Sequence, residues 1–198
     1  LEAKISPDDA WALTEESEAK CRDLIAGARN EGVFTPPSFE GSIFFPWWGG
    51  GINWGGASYD PERSLLVTAI KRLPAVMKLI PRKSDDEGNM LGTPYTSEGG
   101  VISGEAGMPC IAPPWGELIG VSLDSGDIEW RVPLGETQTS REYPDLIKGT
   151  KFWGGPITTA GGLVFAAASV DGYLRAYDVE SGDELWRGKL PAGGQATP

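Results

Sequence analysis

One sixteen-residue pattern occurs twice in this chain. Gly116-Glu117-Leu118-Ile119-Gly120-Val121-Ser122-Leu123-Asp124-Ser125-Gly126-Asp127-Ile128-Glu129-Trp130-Arg131 aligns without gaps on Gly172-Tyr173-Leu174-Arg175-Ala176-Tyr177-Asp178-Val179-Glu180-Ser181-Gly182-Asp183-Glu184-Leu185-Trp186-Arg187, and seven positions are identical. Each copy reads as an apolar strand, a turn on Ser-Gly-Asp and a second strand ending in Trp, because the turn glycine supplies a positive φ that other residues resist. A lone hairpin cannot bury its apolar face in water, so a repeated one predicts sheets set side by side. Trp130 and Trp186 are then the seam-filling residues, each with an indole N–H able to reach a backbone carbonyl.

Gly155 to Thr159 and Leu163 to Ala168 lie upstream of the second copy and complete a four-stranded unit ending at Trp186. The offset of 56 residues between copies exceeds a bare blade, and the polar, turn-rich stretch Gln138 to Lys148 accounts for the excess. Further upstream, Ser42 to Phe45, Ala57 to Tyr59, Leu65 to Ile70 and Met77 to Ile80 are apolar bursts of strand length. Asp60-Pro61-Glu62-Arg63-Ser64 is the tight turn of a hairpin. Lys83 to Ser103 has no clear periodicity and reads as a long loop, over a binding face or as a surface insertion. Thr14 caps the single expected helix, whose first turn is acidic. Ser17, Cys21, Leu24, Ile25 and Ala28 form its spaced face, and Gly32 is its expected stop. The fold class is all-β: a partial β-propeller of about three to four blades, with a helix-containing insertion at about 7–32 and blade segments over about 33–198. A closed ring of seven or eight blades at roughly 40 to 50 residues each needs more than the 198 residues present.

A formal charge of −11 repels a phosphate backbone, and no local basic cluster offsets it, which argues against a nucleic-acid partner. With no histidine in the chain, Ser-His-Asp and Cys-His hydrolase chemistry has no base here, and two cysteines alone cannot make an ordinary zinc site. Cys21 and Cys110 allow one disulfide at most; two buried free thiols are the expectation, with the disulfide as the alternative. No apolar run approaches the ~18 to 20 residues needed to span a bilayer, and the first residues lack the pattern of a signal peptide. Any targeting signal is therefore expected outside this segment.

Ala176 to Trp186 resembles the eleven-residue tryptophan-docking motif of the pyrroloquinoline-quinone (PQQ) dependent dehydrogenases, and Gly120 to Trp130 is a looser version of it. Gly51-Ile52-Asn53-Trp54-Gly55-Gly56 with Asp60-Pro61, Leu79-Ile80-Pro81-Arg82, Gly92-Thr93-Pro94-Tyr95, Met108-Pro109-Cys110 and Leu190-Pro191-Ala192-Gly193-Gly194-Gln195-Ala196-Thr197-Pro198 follow in that family's order. Together they resemble the C-terminal portion of its membrane-linked branch, which contains glucose and quinate dehydrogenases.

The resemblance implies an eight-bladed quinoprotein propeller with PQQ on its axis and calcium or magnesium in the full-length protein. It implies oxidation of a sugar, cyclitol or polyol hydroxyl, with ubiquinone as electron acceptor and the remaining blades of the same chain as structural partners. It further implies a periplasmic protein attached to the inner membrane through an N-terminal region outside this segment. The catalytic base and metal ligands are expected upstream, so no catalytic residue is assigned here. Asn53 is placed beside the quinone, with Trp54, Trp153 and Gly154 as the other cofactor contacts. An amide can donate to a quinone oxygen, and a flat indole packs a flat tricycle. Without the resemblance, Asn53 reads as a left-handed turn residue, and both indoles read as core or seam packing. Asp60, Asp124, Asp171 and Asp178 sit in or beside turns, where carboxylates accept backbone N–H groups, and are read as structural. The competing functions are a non-catalytic propeller scaffold or sensor domain, and a truncated product without activity.

Overall fold

A computed structural model of the protein describes residues 4–84, 92–137, 141–143, 147–167 and 170–197. The chain forms two compact units, Leu1–Gly49 with Leu73–Ala112, and Gly50–Arg72 with Pro113–Pro198.

The first unit carries the helix α1 (Glu15–Ala26). Thr14 caps it as expected, its hydroxyl accepting the Ser17 N–H at 3.2 Å. Ser17, Cys21 and Ile25 are buried, whereas Leu24 is half-exposed and does not belong to the packed face. The helix stops at Gly27, five residues before the expected Gly32. Arg29 is drawn out of helical geometry by pairing elsewhere: its N–H donates to Gly41 at 2.9 Å and its carbonyl accepts from Ile43 at 2.8 Å. Gly32 instead closes a later turn at φ +107°, where its carbonyl receives the Thr35 N–H.

The expectation of two free thiols is wrong. Cys21 and Cys110 form a disulfide, both fully buried, joining α1 to a segment 89 residues away. Burial had suggested inert thiols; what decides the outcome is that the packed face of α1 brings the two Cα atoms to 5.2 Å, within bonding reach.

A three-stranded antiparallel sheet completes this unit: β1 (Ser42–Phe44), β4 (Ala75–Pro81) and β5 (Tyr95–Val101), in the order β1-β4-β5. The strand β5 corrects the reading of Lys83 to Ser103 as one loop. Its sequence, Tyr-Thr-Ser-Glu-Gly-Gly-Val, is polar because it is an edge strand with much of its surface in water. Residues 85–91 of that stretch lie outside the described residues.

The second unit consists of two four-stranded antiparallel sheets. In the first, β2 (Ala57–Asp60), β3 (Leu65–Lys71), β6 (Gly116–Ser122) and β7 (Ile128–Pro133) run in the order β2-β3-β6-β7. In the second, β8 (Ile157–Thr158), β9 (Leu163–Ala167), β10 (Tyr173–Asp178) and β11 (Glu184–Lys189) are consecutive neighbours. The Asp60 turn joins β2 to β3, its carboxylate accepting the N–H groups of Glu62 and Arg63. Parts of Gln138 to Lys148, 138–140 and 144–146, lie outside the described residues.

The sequence repeat is repeated in the backbone. Both hairpins shift register at the equivalent place, between Gly120 and Val121 in one and between Ala176 and Tyr177 in the other. Both turns close in the same way, Gly126 N–H to Ser122 O at 2.8 Å and Gly182 N–H to Asp178 O at 2.9 Å. A core of Leu65, Val67, Leu118, Phe152, Val164, Tyr177 and Val179 includes the Trp130 ring, whose nitrogen donates to Val179 O at 2.9 Å. A Cβ on Gly182 would lie 2.6 Å from that ring, so this glycine is needed for close approach as well as for its φ of +75°. Trp186, the matching residue of the second copy, is 52% exposed.

Candidate functional site

Within the second unit, two Gly-rich segments meet. The loop before β2 folds back on β3 through Lys71 N–H to Gly51 O at 3.0 Å and the Thr68 hydroxyl to Gly56 O at 2.8 Å. Asn53 opens a tight turn in that loop, its carbonyl accepting the Gly56 N–H at 3.0 Å while its side-chain oxygen accepts the Trp54 N–H at 2.7 Å. Its φ is not positive: among the described residues only Trp47, Ser64 and Ala106 combine a side chain beyond glycine with that geometry. Asn53 is thus a turn residue, but not a left-handed one.

The opposing segment runs from Phe152 to Gly155. A Cβ on Gly55 would strike the backbone of Gly154 and Gly155, and a Cβ on Gly155 would strike the carbonyl of Gly55. Buried Gly154 is equally confined, since its Cβ would meet the carbonyl of Ala196. Backbone touching backbone in this way explains why the residues after each Trp are glycines.

That contact sets two indoles face to face. Trp54 and Trp153 stack with centroids 5.4 Å apart and planes 9° from parallel, an offset arrangement that suits the ring quadrupoles. Trp54 is 71% exposed and Trp153 is half-buried, so the core-packing alternative fails for Trp54. All four residues singled out from the sequence, Asn53, Trp54, Trp153 and Gly154, are therefore gathered in this one region.

Lys71 was missed. It ends β3, is 1% exposed, and donates from Nζ to the Phe152 carbonyl at 3.3 Å. The same nitrogen lies 4.4 Å from the Trp153 ring centroid and 5.6 Å from that of Phe152. Burial alone lowers its pKa to about 8, because the charged form is the one that loses hydration. The nearest sequence signal is a lysine that directly prolongs the apolar run Leu65 to Ile70; the Phe152 carbonyl that its ammonium reaches, 81 residues away, leaves no local trace.

The four aspartates behave as structural groups where their contacts are defined. Asp60 is buried and bonded to its own turn and to Arg63 at 3.1 Å. Asp171 pairs with buried Arg175 at 2.5 Å and accepts the N–H groups of Glu136 and Tyr173. Asp178 is held below the usual carboxylate range by the N–H groups of Ser181 and Glu180. Asp124 is exposed in the β6–β7 turn.

These residues suit a flat, anionic, hydrogen-bond-accepting group. The parallel indoles offer a flat aromatic wall, the Asn53 amide nitrogen has no protein acceptor among the described residues, and Lys71 adds positive charge. No cluster of three or more His, Cys, Asp or Glu able to hold a metal is found among the described residues.

The family model "PQQ: Glucose/ethanol/alcohol dehydrogenase, beta-propeller domain" matches residues 1–198. The chain is 37% identical over 215 residues to a quinoprotein glucose dehydrogenase of Escherichia coli, covering 98% of this chain and 27% of that protein. It is 33% identical over 217 residues to a quinate/shikimate dehydrogenase (quinone) of Acinetobacter baylyi, covering 98% and 27%. In fold it resembles the crystal structure of a quinohemoprotein alcohol dehydrogenase from Comamonas testosteroni, with a TM-score of 0.54 at 22% identity over 80% of this chain and 21% of that one. The chain spans about a quarter of the length of the curated relatives it matches. Its tryptophan-docked sheets and full-length match place it in the PQQ-dependent dehydrogenase β-propeller family.

Proposed function

We propose that this chain is the C-terminal portion of a PQQ-dependent dehydrogenase that oxidises a hydroxyl of a sugar, cyclitol or polyol and passes the electrons to a quinone. The observation that carries this reading is the Trp54–Trp153 stack beside the Asn53 amide, locked by the Gly55–Gly155 contact. When bound, PQQ supplies the electron-accepting carbonyls. Asn53, through its side-chain amide nitrogen, would donate to a carbonyl oxygen of the group and favour its reduced form. The exposed Trp54 indole, backed by Trp153, would give a flat tricycle a plane to pack against, and Gly154 and Gly155 would hold that pair in place through their backbone contacts with Ala196 and Gly55.

The base that takes the substrate proton and the ligands for calcium or magnesium belong to other blades, outside residues 1–198. Ubiquinone is the proposed acceptor, in keeping with relatives described as quinate dehydrogenase (quinone). The buried disulfide favours an oxidising compartment such as the periplasm, with attachment to the inner membrane through a further N-terminal region. A non-catalytic scaffold would retain the tryptophan docking of Trp130, but would have no use for an exposed indole stacked parallel on a second one next to an amide.

The complete polypeptide should quench its tryptophan fluorescence on titration with PQQ in the presence of calcium or magnesium, then reduce an artificial dye with glucose, quinate or a polyol. Asn53→Ala and Trp54→Ala should weaken quinone uptake. A folded protein that takes up no PQQ with either metal overturns the reading in favour of the scaffold.

A further inference from the structure

Lys71 occupies a place where an aliphatic side chain would pack at less cost. It is 1% exposed at the end of a strand that buries Val67, Ala69 and Ile70. A buried ammonium is costly unless its surroundings answer its charge. Here the answer includes the Phe152 carbonyl at 3.3 Å and the face of the Trp153 indole at 4.4 Å. Indole is the strongest of the aromatic faces for a cation. At neutral pH the group keeps its proton, because burial lowers its pKa only to about 8.

We propose that Lys71 is a positioning residue for the cofactor: it clamps the Phe152-Trp153 segment from β3 and places a fixed positive charge behind the stacked Trp153–Trp54 pair that borders the quinone. The inference rests on the quinone reading above. Trp153 is steadied in one orientation by the ammonium over its ring and by the stacked Trp54. The charge acts through a site of low dielectric, where a fixed cation favours an anionic ligand and, still more, its electron-rich reduced form. No residue of the Asn53 or Trp153 motifs performs this task, since neither motif contains a charge.

The test compares Lys71→Met, Lys71→Gln and Lys71→Arg with wild type in the complete polypeptide. PQQ affinity is read from tryptophan quenching, and the midpoint potential of the bound cofactor from spectroelectrochemistry. Met fills the strand position without charge; Gln keeps a donor for the Phe152 carbonyl, which separates that hydrogen bond from the charge. Both neutral variants should bind PQQ about tenfold more weakly, as expected for losing one fixed charge near an anionic ligand at low dielectric, and shift the potential to more negative values. Lys71→Arg should restore most of both properties. Unchanged affinity and potential in Met and Gln overturn the inference alone, as does an Arg variant no better than Gln. Failure of both neutral variants to fold would make Lys71 a structural residue and would also overturn it. A folded wild type that takes up no PQQ overturns the quinone reading itself, and the inference with it.

Discussion

The indole nitrogen of Trp130, at the end of the first repeat, donates to the carbonyl of Val179 in the second at 2.9 Å. One repeat thus supplies the donor and the next supplies both the acceptor and the glycine, Gly182, that lets the ring approach. Trp186 holds the same position in its hairpin but is 52% exposed. The two residues should therefore respond differently to truncation. Trp130→Ala is expected to cost about 3 to 5 kcal/mol, as for a large buried aromatic, whereas Trp186→Ala in the same 198-residue chain should cost under about 1 kcal/mol. Urea midpoints of the two variants, compared at equal m-value, check this; equal losses would contradict the docking asymmetry.

The Cys21–Cys110 bond closes a loop of 89 residues, and a cross-link of that span removes much conformational freedom from the unfolded chain. Replacing both cysteines by serine should lower stability by about 4.5 kcal/mol on the loop-entropy scale. The thiol reagent result should follow the burial: both sulfurs are shut from solvent, so reduction in native buffer is expected to be slow and to accelerate when the first unit opens. Mass spectrometry after timed trapping with iodoacetamide reads both rates.

Asp171 and Arg175 form a pair with almost no solvent contact, side-chain exposures 0% and 2%, and Arg175 also reaches Glu184 at 3.2 Å. Removing Asp171 leaves the buried Arg175 with the part-exposed Glu184 as its remaining carboxylate, so its charge is only partly answered. Asp171→Ala should destabilise the protein by about 3 to 5 kcal/mol, and Asp171→Asn by less, because the amide oxygen still accepts from the N–H groups of Glu136 and Tyr173. Chemical denaturation provides the measurement, and a neutral Asp171→Ala would disprove the structural reading of this carboxylate.

The depressed pKa of Lys71 makes stability rise with alkalinity. Below about 8 the ammonium is charged in both folded and unfolded chains and its burial cost is fully present. Between about 8 and the ordinary value of 10.5 the unfolded chain holds the proton more tightly, so folding gains as pH climbs. The gain is on the order of 3 kcal/mol across that window. Lys71→Met removes the charge and with it this slope, so the stability difference between variant and wild type should shrink as pH is raised from 7 to 10. Parallel curves would show that the burial cost is met elsewhere.

Local chemistry made much of the architecture legible. The hairpins of the repeat, the Asp60 turn and the Thr14 cap all depend on residues within a few positions of one another, and each appears as read. Features set by distant partners were hidden. The end of α1 is decided by the bonds of Arg29 to Gly41 and Ile43, and β5 is polar because it lies at an edge. The disulfide likewise depended on where a helix face came to rest.

The amino-acid order alone determined that this chain makes hairpins with a glycine turn and a closing indole, because alternation and positive φ are properties of short segments. It marked Asn53, Trp54, Trp153 and Gly154 only through the resemblance of their motifs to the quinoprotein family. Only the tertiary structure decided that Gly55 and Gly155 touch, that the two indoles lie parallel, and that the Lys71 ammonium sits over one of them. Those contacts join residues about 80 to 100 positions apart, and they are held by the packing of sheets distant in sequence, which no local pattern encodes.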